Sequence, residues 1–168
     1  MITLLVALVM AMGAFAVPAS AASSDSLLGK KHQATGAPVK IGLVTDGKGS
    51  ATDNSIETPV TEAAVKWINQ YRGGIAGRPI DLDICVTGGD PSKSADCANQ
   101  MIQDNVAAVV LGVNQFTQNT WTPLHSAGVP MFINSSGNPD VLADTDSTFV
   151  FQAGPAAIQN LIIGAAKT

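Results

Sequence analysis

Three features of the sequence predict an open, parallel α/β sheet wrapped by helices. Short apolar runs alternate with amphipathic stretches from residue 39 onward, the pattern of consecutive βα units. One such handover is explicit in EAAVKWINQYRGGIAGRPIDL, Glu62 to Leu82, where an amphipathic helix passes through a glycine turn into a strand. The run VAAVVL, Val106 to Leu111, is uniformly apolar, as a central parallel strand covered on both faces should be.

Taken in order, the first strand is Val39 to Val44 (VKIGLV), bounded by Pro38 and the turn residues Asp46-Gly47, and a long loop follows to Thr58. In the first helix Val60, Ala64, Trp67, Ile68 and Tyr71 recur at helical spacing, with Glu62, Lys66, Asn69 and Gln70 largely on the other face. Gly73 and Gly74 stop it, since glycine enters the left-handed conformation without a Cβ clash, and Arg72 suits its carbonyl end. After Arg78-Pro79, Ile80, Leu82, Ile84 and Val86 alternate with Asp81, Asp83 and Cys85, the signature of an edge strand. Asp90-Pro91 opens a second helix as N-cap and first helical residue, with Ala95, Ala98, Met101 and Ile102 as its expected core face.

Gly112 ends the third strand, Val106 to Leu111. A loop from Val113 to Asn119 leads to a short helix at Thr122 to Ala127, and Gly128-Val129-Pro130 introduces a fourth strand, Met131 to Asn134. Asn138-Pro139 starts another helical turn and Phe149 to Phe151 forms a fifth strand. Pro155 to Lys167 reads as a helix with Ile158, Leu161, Ile162 and Ala165 on one face. Alternation this regular calls for right-handed crossovers.

The ends and the composition bound the function. Leu4 to Val17 is an apolar run followed by Pro18-Ala19-Ser20-Ala21, an A-x-A cleavage site, so residues 1–21 are expected to be a signal peptide. No Lys or Arg precedes the run, and no cysteine stands near the cleavage point to carry a lipoprotein anchor. A soluble periplasmic or secreted protein is the expectation. Residues 22–38, polar and including His32, read as a flexible leader. Thirteen acidic against nine basic residues give a net charge of -4 without a basic cluster, which argues against a nucleic-acid partner. Cys85 and Cys97 are the only cysteines. With an export signal they are expected to form a disulfide between the second strand and the next helix. Two unpaired thiols are the competing reading, because Cys97 falls on the flank of its helix rather than on the expected core face.

The chain resembles the type I periplasmic solute-binding proteins of ABC transporters, in the branch of Leu/Ile/Val-binding proteins. The resemblance is carried by IGLV at Ile41 to Val44, AAVKWINQYRGGIAGRPIDL at Ala63 to Leu82 and DPSKSADCANQMI at Asp90 to Ile102. VVLG at Val109 to Gly112, GVPMFINSS at Gly128 to Ser136 and FVFQAGP at Phe149 to Pro155 extend it. It implies two lobes joined by crossovers with the ligand between them, and a non-catalytic role delivering a small polar solute, an amino acid or related compound, to a membrane permease. An extracellular sensor built on the same lobe is the alternative. Residues 39–152 would be the N-terminal lobe, and 153–168 a crossover and the first helix of a second lobe, so that the chain reads as a lobe fragment.

Ligands of open α/β sheets sit outside the carboxyl ends of the strands. The loops Thr45 to Thr52, Val113 to Thr117 and Ser135 to Asn138 are therefore the candidates. The resemblance places ligand contacts at Asn114, Gln115, Phe116 and Thr117, then Ser135, Ser136 and Gly137. Gly137 stands where a hydroxyl residue is usual, and Asn114-Gln115-Phe116 replaces a serine-rich segment, so the match to amino-acid recognition is partial. Asn138 and Ser136 also suit the start of a helical turn, Phe116 suits either a hydrophobic gap or a stacking contact, and Asp46, Lys48 and Asp53 read as solvated loop charges. No cofactor is expected, since Gly47-Lys48-Gly49 lacks the third glycine of the dinucleotide fingerprint. Neither is catalysis or a metal. The sequence holds no G-x-S-x-G elbow and no metal-ligand spacing, and His125, the only histidine outside the leader, reads as a helix-end residue.

Overall fold

The computed structural model describes residues 27–153; the expected signal peptide and the helix expected at Pro155 to Lys167 lie outside them. Strands β1 (Val39–Thr45), β2 (Ile80–Val86), β3 (Ala108–Leu111), β4 (Met131–Ser136) and β5 (Thr148–Ala153) alternate with helices α1 (Glu57–Tyr71), α2 (Pro91–Gln103), α3 (Thr117–Ser126) and α4 (Pro139–Ala143). The strands form one parallel sheet in the order β2-β1-β3-β4-β5. The chain thus steps one way from β1 to β2 and the other way from β2 to β3. That reversal makes the carboxyl ends of β1 and β3 the topological switch point, where side chains from several loops converge. β2 lies at the edge, as its alternation predicts.

The strand register sorts the side chains onto two faces. On one, Val44, Val109, Leu111, Met131 and Ile133 pack with Cys97, Ala98 and Met101 of α2, Leu124 of α3 and Val141 of α4 to form the buried core. On the other, α1 covers the sheet loosely. No residue of α1 is buried, and Thr61, Ala64, Val65 and Ile68 border an apolar cavity of about 290 Å³ with Ile41, Ile80, Leu82, Ala108, Val110 and Phe132. Val60, expected on the core face of α1, is exposed.

Local chemistry sets the helix ends. Asp90 accepts from Lys93 N at 2.9 Å with Pro91 in the first helical position, and Asn138 caps α4 in the same way, accepting from Asp140 N at 2.9 Å. The core face of α2 is turned from the expected one: Ser94, Cys97, Ala98 and Met101 are buried, while Ala95 and Ile102 are half-buried. Cys97 therefore does not sit on the flank. It is bonded to Cys85 across a Cα–Cα distance of 5.6 Å, and this link draws the Cys97 side of α2 onto β2. The leader is also tighter than expected. His32 N and Ala34 N donate to Gln70 O and Asn69 O, Thr35 N and Gly36 N donate to Gly77 O, and the Arg78 guanidinium holds the carbonyls of Ala37 and Pro38. Carbonyls left open at the end of α1 and in the following turn recruit it.

Replacing both Cys85 and Cys97 by serine should lower the unfolding free energy by about 3 kcal/mol, because the bond closes a short loop in the unfolded chain. Urea titration reads this as a lower midpoint at unchanged slope. An unshifted midpoint would show that the bond does not form in the folded protein.

Candidate functional site

Segments at the carboxyl ends of β3 and β4, with Glu57 at the start of α1, line one crevice, and two carboxylates brace its walls. Asp46, directly after β1, is fully buried, which corrects its reading as a solvated charge. Its Oδ1 accepts from Thr87 Oγ1 at 2.5 Å and Asn114 Nδ2 at 3.2 Å, and its Oδ2 from Gln115 N at 2.8 Å. One side chain thereby joins the segments after β1, β2 and β3. Lys48 and Asp53, by contrast, face solvent and pair at 3.3 Å.

Glu57 is the second carboxylate. α1 begins at Glu57, several residues before the expected start, which brings this side chain over the ends of β1 and β3. It accepts from the Thr45 hydroxyl and from Val113 N, the latter at 3.1 Å. An acid in the first turn is also favoured by the helix dipole. With Gly112, Val113, Asn114, Thr117, Ile133, Asn134 and Ser135, Glu57 lines a cavity of about 270 Å³.

Asn114, Gln115, Phe116 and Thr117 with Ser135, Ser136, Gly137 and Asn138 line an adjoining mouth of about 450 Å³. The structure thus brings all seven sequence-predicted residues to one crevice, with Asn114, Thr117 and Ser135 shared by both parts. Their settings differ from a pair of flexible loops. α3 starts at Thr117 rather than near Thr122, so Thr117 lies in its first turn and donates to Asn114 O at 3.0 Å. β4 continues through Ser136, so Ser135 and Ser136 are strand residues paired with Gln152 and Ala153 of β5. Ser136 is buried and its hydroxyl accepts from Asn138 N at 3.1 Å, which with the Asn138 cap makes this pair the start of α4. Phe116 precedes α3, half-buried on the rim of the mouth.

Sequence reasoning missed Glu57 and the burial of Asp46. The available signal for Glu57 was an acidic residue at a helix start, hidden by placing that start beyond Thr58. His125 occupies the last turn of α3, as expected, stacked on Trp121 at 4.5 Å and 3.1 Å from Asp144 Oδ2. Burial opposes the charge of Asp144, but hydrogen bonds from Thr148, Ser147 and the amides of Asp146 and Ser147 outweigh it and hold the carboxyl well below the usual range.

A parallel sheet with a polar crevice beside its topological switch point is the architecture of an open α/β lobe. The chain belongs to the periplasmic binding protein family, whose sequence profile matches residues 38–167, and its fold is that of a type I lobe. Among solved structures it is similar to the branched-chain amino acid transporter substrate binding protein LivJ from Streptococcus pneumoniae, in complex with isoleucine. That match has 26% identity and a TM-score of 0.60, over 69% of this chain and 34% of that one. It is similar in fold to a possible leucine/isoleucine/valine-binding protein from Rhodopirellula baltica, at 15% identity and a TM-score of 0.63 over 80% and 37% of the two chains. An ABC transporter substrate-binding protein from Desulfitobacterium hafniense matches at 24% identity and a TM-score of 0.60 over 77% and 39%. The matches thus span roughly a third of the length of each structure. Comparison with curated proteins returned no match.

Proposed function

We propose that this chain forms the first ligand-binding lobe of an extracytoplasmic solute-binding protein of an ABC-type transporter, non-catalytic and specific for an amino acid or related small solute. The observation that carries the reading is the crevice itself. Hydroxyl, amide and carboxylate groups from the ends of β3 and β4 and the start of α1 converge on a concave site in a chain of this family. Branched-chain amino acids are the first solutes to try, because the LivJ structure that the chain resembles holds isoleucine. Closure of a second lobe over the ligand would give the conformational difference that a membrane permease reads.

Isothermal titration of isoleucine into the full-length protein tests this. Saturable binding is expected, weakened about 3- to 10-fold by Ser135→Ala through loss of one hydrogen bond. Phe116→Ala should weaken it as well, with both variants melting as the parent does. Unchanged affinity in both would move the site away from this crevice.

A further inference from the structure

Helix α1 reaches from the crevice to the opposite end of the sheet, and its ties to the rest of the lobe gather at its two ends. At the amino end Glu57 accepts from the Thr45 hydroxyl and from Val113 N, so the first helical residue grips the loop after β3 that lines the crevice. At the carboxyl end Asn69 pairs with the start of β2. Its Nδ2 donates to Ile80 O at 2.9 Å and its Oδ1 accepts from Ile80 N at 2.7 Å. The leader is bound there as well. Ala34 N donates to Asn69 O at 2.8 Å, His32 N to Gln70 O at 3.0 Å, and the Trp67 indole to Leu28 O at 3.1 Å. Ala34 is itself buried.

Between these ends little holds the helix down. None of its residues is buried, and Thr61, Ala64, Val65 and Ile68 border the apolar cavity of about 290 Å³. A close-packed interior confines a disturbance because neighbouring atoms resist it, whereas a helix lying over a void meets fewer restoring contacts. The rod itself is stiff. Its 15 residues, hydrogen-bonded along the backbone, span about 22 Å, so a tilt at one end is carried to the other.

We infer that α1 is a lever coupling the leader to the crevice: docking of residues 28–34 at its carboxyl end and seating of Glu57 on the β3 loop at its amino end form and open together. The leader is then a regulatory strap for the site. The consequence for ligand binding rests on the proposed solute-binding role, while the coupling itself does not. By linkage, a solute that orders the crevice tightens the strap, and a docked strap raises solute affinity.

Amide hydrogen exchange, followed by NMR on the full chain, tests the coupling without a solute. With His32→Pro and Ala34→Pro combined, both leader donors are removed. The Val113 amide should then exchange about tenfold faster, as for the loss of one hydrogen bond. In reverse, Glu57→Ala should speed the His32 and Ala34 amides to a similar degree. The Lys93 amide, held by Asp90 at the start of α2 on the other face of the sheet, should keep its rate in both variants. An unchanged Val113 amide in the folded proline variant, unchanged leader amides in the Glu57→Ala protein, or equal acceleration at Lys93 would overturn the lever.

The unaltered protein supplies a test that needs no variant. As urea rises through the range below unfolding, the His32, Ala34 and Val113 amides should converge on one opening, and separate openings would overturn the lever. Isoleucine should slow exchange of the two leader amides about fivefold or more. Binding of isoleucine without that slowing would also overturn it. A failure of isoleucine to bind would count against the solute-binding role, while the solute-free rates still decide the lever.

Discussion

Gly74→Ala is expected to destabilise the protein by about 3 to 5 kcal/mol, a large part of what holds a domain of this size together. Two effects add. Gly74 has φ +68, a left-handed conformation that costs an alanine about 1 kcal/mol or more. A Cβ there would also stand 2.0 Å from Arg78 O and 2.6 Å from Arg78 C. Backbone cannot swing aside like a side chain, and this piece is held by the paired bonds Ile75 N to Arg78 O at 2.8 Å and Arg78 N to Ile75 O at 3.0 Å. Gly77→Ala provides the control. Its φ is +81 with nothing within 4 Å of an added Cβ, so it should show the conformational cost alone, about 1 kcal/mol. Urea midpoints of the two variants check the difference. Equal losses would mean that the turn yields without cost.

The second large effect belongs to Asp46. Asp46→Ala should cost about 3 to 5 kcal/mol and abolish solute binding together, because it leaves the Thr87 hydroxyl, the Asn114 amide and Gln115 N buried without their acceptor. The loops after β2 and β3 would then lose their common anchor. Asp46→Asn keeps one acceptor oxygen and the shape of the side chain. It should recover part of the stability, but its NH2 group would face either Thr87 Oγ1 and Asn114 Nδ2 or Gln115 N. Denaturation and isoleucine titration of both variants read the two effects. Wild-type affinity in a folded Asp46→Ala protein would show that the crevice does not depend on this anchor.

Element order, the edge position of β2, the caps at Asp90 and Asn138 and the grouping of Asn114–Thr117 with Ser135–Gly137 were legible in the sequence. Each follows from local signals: apolar period, glycine and proline placement, and the rule that ligands meet a parallel sheet at its strand ends. Only the tertiary structure decided how those pieces are aimed. A residue's face on a helix depends on the partner it packs against, so α2 turned to bury Cys97 against the sheet and its bond to Cys85, and α1 began early enough to bring Glu57 to the crevice. Asp46 looks like any loop acid until Thr87, Asn114 and Gln115, distant in sequence, supply the donors that let it be buried. Charges in a site are set by such long-range pairings, and a single sequence does not display which residues will meet.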